Sequence, residues 1–169
     1  MKVVFMIDGW FMRKRIYELK TFYYDGPNIR KYCLSHLRAK DGDTLYRIFY
    51  YDTEPLDKKG DNPISNKPID FSKTTIAQEQ YKLLDSIKRT PNFALRLGKT
   101  AWRDNNWILN YQKLKDLLAK KITIDDLLEK DVIPWIEQKA VDMKMGLDIA
   151  SIATKRLAEK LIIMILPGF

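Results

Sequence analysis

The chain has 169 residues, 46% of them apolar and 31% charged, the composition of one folded globular domain rather than of a disordered chain. A single cysteine and a single histidine exclude an internal disulfide and any Cys/His zinc site built from this chain alone. Thirty Lys+Arg against 22 Asp+Glu leave a net charge of +8, which suits a polyanionic partner through steering and counterion release, or serves solubility alone.

Lys2-Val3-Val4-Phe5-Met6-Ile7 is a continuous apolar run rich in β-branched residues, which predicts a strand buried on both faces and ending at Asp8-Gly9. Phe11 to Lys20 reads as a helix, and Pro27 opens a second through about Leu37. Leu45 to Tyr51 predicts a second strand, again ended by an aspartate, Asp52. Glu54 to Phe71 has the Pro, Gly, Asn and Asp content of an exposed loop. Ser72 or Thr75 can cap a helix to about Lys88. Alternation through Phe93–Arg103, then Asp104-Asn105-Asn106 and Trp107-Ile108-Leu109, predicts a short antiparallel excursion. Tyr111 to Lys120 and Asp125 to Lys130 carry helical patterns, interrupted by Pro134. A helix follows Val141-Asp142, and Leu161 to Leu166 predicts a last buried strand before Pro167-Gly168-Phe169. Strands alternating with helices imply an α/β fold, an open parallel sheet with helices on both faces.

No apolar run reaches the roughly 20 residues that span a bilayer, and the first strand is too short for a signal peptide. A cytoplasmic protein without a membrane partner is therefore expected. His36 lies in a basic helical stretch and reads as a packed or solvated residue, so catalysis would fall to carboxylates, which suit hard ions such as Mg²⁺ or Mn²⁺. Sites in open α/β sheets form at the carboxyl ends of strands, which brings forward Asp8 and Asp52. Asp142, at a helix N-terminus, can act as a cap or as a metal ligand. Asp148 lies about 240° further round an ideal helix and by spacing faces solvent. Aromatic and basic residues interleave at Trp10–Arg15, Tyr17–Tyr24 and Arg96–Trp107, a mixture that stacks and neutralises single-stranded nucleic acid, or packs a core with a charged rim. Arg13, Lys14 and Arg15 are consecutive, so part of that cluster must face solvent beside Asp8. Arg96, Lys99 and Arg103 form the other candidate nucleic-acid surface.

Val4-Phe5-Met6-Ile7-Asp8-Gly9 resembles the opening strand of NYN-domain proteins of the LabA-like branch, and Ile48-Phe49-Tyr50-Tyr51-Asp52 resembles their second strand. Glu137-Gln138-Lys139-Ala140-Val141-Asp142-Met143-Lys144-Met145-Gly146-Leu147-Asp148 is similar to the family's Lys-Gly/Ala-Val-Asp segment and its following helical aspartate. The order and spacing of all three match across nearly the whole chain. The resemblance implies a PIN-like fold and a Mg²⁺- or Mn²⁺-dependent ribonuclease or RNA-processing role on RNA, with Asp8 and Asp142 as metal ligands and Asp8, Asp142 and Asp148 as the catalytic acidic positions. Where many relatives carry Asn after the first Asp-Gly, this chain has Trp10 and Phe11. Where the family's last strand runs into a Gly-Asp-Ser-Asp-Phe type segment, this chain has Pro167-Gly168-Phe169. A domain cut short by a premature stop, a frameshift or deliberate shortening is expected, with a weakened metal site and an open apolar face that invites a homo-oligomer. Three functions therefore stand at this level: a fragment of a metal-dependent nuclease, a nucleic-acid-binding module without turnover, and a protein-interaction or regulatory domain.

Overall fold

A computed structural model describes residues 1–165. The predicted Pro167-Gly168-Phe169 ending, and the Leu166 end of the last strand, lie outside the described residues. The elements are β1 (Lys2–Asp8), α1 (Gly9–Leu19), α2 (Gly26–Ser35), β2 (Thr44–Thr53), β3 (Lys59–Asp61), β4 (Pro68–Asp70), α3 (Thr75–Arg89), β5 (Phe93–Leu109), α4 (Tyr111–Leu118), β6 (Val132–Lys139), α5 (Val141–Thr154) and β7 (Lys160–Met164). The hydrogen-bonded strand order is β6-β5-β2-β1-β7, with β1 parallel to β2 and β7, and β2 parallel to β5. The chain is thus α/β with an open, mostly parallel sheet. Among the described residues no helix is long and apolar enough to cross a membrane.

Two compact units divide the chain. Of the described residues, one holds 1–54, 79–99 and 139–165, and the other 55–78 and 100–138. In the first, the pleat of β1 explains why its run is continuously apolar. Val3, Phe5 and Ile7 enter one core with Ile48 and Tyr50 of β2, against Met12 and Ile16 of α1, Ile29 and Cys33 of α2, and Leu83 and Ile87 of α3. Val4 and Met6 enter a second core with Phe49 and Tyr51, against Val141, Met145 and Ile152 of α5. Helices therefore cover both faces of this part of the sheet, and each fully buried apolar side chain of β1 contributes about 1.5–3 kcal/mol. At the amino ends of the strands, Lys160 Nζ meets Asp43 Oδ2 at 2.6 Å, tying the start of β7 to the approach to β2. That ammonium, with the Arg38 N–H, holds the Asp43 carboxyl below the usual aspartate range.

The second unit departs from the sequence reading in several places. The expected loop over Glu54–Phe71 contains an antiparallel pair, β3 with β4, in which Lys59 faces Asp70 and Asp61 faces Pro68. Its strands are too short and polar to show a period of two. The predicted helix over Asp125–Lys130 is replaced by two short 3-10 turns, Ile124–Asp126 and Glu129–Asp131. Asp126 and Asp131 turn their carboxylates back onto the N–H groups of Thr123 and Leu128 at 2.7 and 2.9 Å, closing each turn before a helix can extend. Pro134 lies within β6, last in the strand order, where a missing N–H is tolerated. Where the sequence predicts a short antiparallel excursion, Phe93–Leu109 is one strand, β5, in which Asp104 and Asn105 are consecutive left-handed residues (φ 48° and 55°). Trp102, Phe71 and Leu56 form this unit's core, with Trp107 packed against them. The side chain of Thr74, one residue before the predicted Thr75, caps α3 by accepting from the Ala77 N–H.

Candidate functional site

Asp8 closes β1 and caps α1, its Oδ1 accepting from the Phe11 N–H at 2.9 Å. The carboxylate is half-buried. Burial raises its pKa despite the backbone hydrogen bonds that oppose the rise, and the negative charges of Asp142 and Asp52 add to it. Asp8 thus feels two further aspartates, one at the end of β2 and one at the start of α5, although the three lie far apart in sequence.

They are not equivalent. Asp52 is 1% exposed, and its oxygens are already engaged. Oδ2 accepts from Arg13 Nη2 at 3.1 Å and from the Tyr50 hydroxyl at 3.4 Å, while Oδ1 accepts from the Thr53 N–H at 2.8 Å. A carboxylate so occupied holds an arginine rather than a metal ion. The Tyr50 hydroxyl also shares a 3.0 Å hydrogen bond with the Tyr24 hydroxyl, which reaches the Gly9 carbonyl at 3.4 Å. Burial pushes both phenols up, so both stay protonated. Gly9 makes this layer possible: a Cβ there would lie 2.6 Å from Tyr50 Cζ and 2.7 Å from Asp52 Oδ2. The residue serves close approach rather than a special backbone conformation.

Asp142 lies exposed in the first turn of α5, one residue inside the helix start. The cap position belongs to Ala140, in the left-handed region with φ 67°. Asp148 is drawn elsewhere. Its Oδ2 accepts from Arg96 Nε and from the Tyr51 hydroxyl, both at 2.9 Å. Arg96 also lies over the Phe49 ring, 5.1 Å from its centroid. The pair Arg96–Asp148 therefore ties β5 to α5, and Lys144 Nζ adds a 2.5 Å bond to the Leu97 carbonyl. Gly98 lets the chain pass close by, since a Cβ there would stand 2.4 Å from the Lys139 carbonyl oxygen.

The basic candidates divide in the same way. Arg13 turns inward to Asp52 and Gln80, whereas Lys14 and Arg15 are exposed, Lys14 over the Trp10 ring and Arg15 paired with Glu18 at 3.1 Å. Lys99 is exposed. Arg103, in the second unit, pairs with Glu137 at 3.0 Å and stacks on Trp135 at 4.3 Å. Trp107, one of the interleaved aromatics, packs into that unit's core, while Tyr17 is exposed.

Among the described residues no group of three or more His, Cys, Asp or Glu side chains comes together in a way that could hold a metal ion. Two carboxylates whose charges interact are Asp8, at the end of β1, and Asp142, in the first turn of α5. That number of carboxylates serves Mg²⁺ when water and substrate phosphate complete its shell. Sequence reasoning took Tyr24 as an aromatic that stacks on bases or packs a core, where it does lie, and passed over the polar roles of Tyr24, Tyr50 and Gln80. They carry no local signal, and only the tertiary fold gathers them around Asp52. No family model, no curated protein and no solved structure matches the chain.

Proposed function

We propose that the chain is a metal-dependent ribonuclease or RNA-processing domain of NYN type, acting on single-stranded RNA with Mg²⁺ or Mn²⁺. One observation carries the reading. A half-buried aspartate at the carboxyl end of the first parallel strand feels the like charge of Asp142 from the start of α5, a repulsion that a divalent cation relieves. Asp8 and Asp142 would hold that ion, which when bound neutralises charge developing on a phosphodiester and activates water. The exposed Lys14, Arg15 and Lys99 would meet the backbone of the polyanion. A second reading is binding without cleavage. It is favoured by the engagement of Asp148 with Arg96 and of Asp52 with Arg13, which leaves few carboxylates for chemistry. Self-association belongs to the same proposal: β7 ends the strand order, and Ile163 and Ile165 near it are exposed.

Incubation with a labelled single-stranded RNA tests these readings. Cleavage that needs Mn²⁺ or Mg²⁺, stops with EDTA and is lost in Asp8→Asn supports the nuclease. Salt-dependent binding that persists in EDTA and in Asp8→Asn, with no cleavage, supports the binding module. Metal-independent cleavage, or no interaction with RNA, overturns the first reading. Sedimentation across a concentration range tests self-association, and a monomer throughout would refute it.

A further inference from the structure

Of three consecutive basic residues, one is built into the site. Arg13 has a side chain 24% exposed, and its guanidinium is held on two sides by buried acceptors, Asp52 Oδ2 at 3.1 Å and Gln80 Oε1. Those acceptors are themselves fixed. Asp52 accepts from the Thr53 N–H and the Tyr50 hydroxyl, and Gln80 Nε2 donates to the Thr53 carbonyl at 3.2 Å. Gln80 and Asp52 are 7% and 1% exposed. A guanidinium carries five N–H donors in a rigid fork, and hydrogen bonds to Asp52 and Gln80 leave the others free for a ligand. An arginine that served only to neutralise Asp52 would not need a second buried acceptor to set its plane. Lys14 and Arg15, with no such frame, supply diffuse charge.

We propose that Arg13 is a preoriented anchor for a backbone phosphate of single-stranded nucleic acid, with Asp52 and Gln80 as its positioning residues, at the strand ends beside Asp8. A planar fork held in place recognises two oxygens of one phosphate, and little side-chain entropy is left to lose on binding. The substrate class rests on the functional reading above, whereas the anion site itself does not.

The test has two parts. Inorganic phosphate is titrated into the ¹⁵N-labelled full chain, following the arginine Nε–H resonances; the Arg13 signal is the one lost in Arg13→Lys. A saturable shift at Arg13, without a matching shift at Arg15, is expected. An unmoved Arg13 signal, or one that drifts together with Arg15, overturns the proposal and leaves Arg13 a structural pin. The titration itself reads the unaltered protein, and the conservative Arg13→Lys variant serves only to assign the signal. In the second part, binding of a short single-stranded RNA is compared in Asp8→Asn, which removes turnover and keeps the helix cap. Adding Arg13→Lys, which keeps a cation beside Asp52 but loses the fork, is expected to weaken binding about tenfold or more. Adding Lys14→Gln is expected to cost only a few-fold and to lower the salt dependence. Equal effects of the two substitutions would refute the anchor. A saturable phosphate shift with no RNA binding would uphold the anion site and sink the ribonuclease reading; RNA cleavage with an indifferent Arg13 would do the reverse.

Discussion

Two helical glycines should respond to alanine with opposite signs. Gly9 opens α1 against the end of β2, and a Cβ would lie 2.6 Å from both Cζ and Oη of Tyr50 and 2.7 Å from Asp52 Oδ2. Real Cβ contacts do not occur at such distances, and Tyr50 is fully buried with its hydroxyl held by Tyr24. The ring cannot swing away, so the helix start must shift. Overpacking of this kind costs about 1–3 kcal/mol. The better helix propensity of alanine returns up to about 1 kcal/mol, leaving Gly9→Ala destabilised by about 1–2 kcal/mol. For a chain of this length that is a fall in Tm of roughly 2–8 °C. Gly146 lies exposed inside α5, has an ordinary φ, and its Cβ would meet nothing within 4 Å. There propensity acts alone, and Gly146→Ala should gain about 0.5–1 kcal/mol. Urea unfolding of the two variants beside the unaltered protein decides the matter, read as a change in midpoint at constant slope. A Gly9→Ala protein as stable as its parent would refute the packing argument; a destabilised Gly146→Ala would refute the propensity argument.

Asp8→Asn should stabilise the fold at neutral pH. Burial and the neighbouring carboxylates raise the folded-state pKa of Asp8, so its charge carries a penalty that is present in full at pH 7. The penalty is relieved as pH falls through the raised folded value and is gone below the unfolded one; asparagine keeps the cap. The gap between variant and parent should therefore narrow between pH 7 and pH 3, and a gap that widens would contradict this sign. Asp52→Ala should cost about 3 kcal/mol, the low end for breaking a buried pair because Arg13 reaches water. Arg96→Ala, whose side chain is 41% exposed beside Asp148, should cost no more than about 1 kcal/mol. Chemical denaturation of both variants checks the order, and a larger loss at Arg96 would reverse the assignment of which pair holds the fold. Cys33 is fully buried and its thiol is pushed up to about 12. It should resist a thiol reagent at pH 8 until the chain unfolds, and rapid native-state labelling would show that this core is open.

β1, β2 and their terminal aspartates are legible in the residues alone. A strand buried on both faces must be apolar at every position, so Val3 to Ile7 announces itself, and the polar residue that ends the run marks the carboxyl end of the strand, where sites form. The strong helices were legible for the same reason: periodicity is local. Pro134 misled because a proline that would break a helix is acceptable in a strand at the end of a sheet, and strand order is a property of the whole fold. Charge pairing was equally out of reach. Arg13, Lys14 and Arg15 point about 100° apart around one helix, and nothing in their spacing says which turns inward. The fold decided it, because Asp52, 39 residues away, was buried in a core that left its charge no water. Asp148 likewise meets Arg96 52 residues away, a half-exposed pair that only the packing of α5 beside β5 brings together.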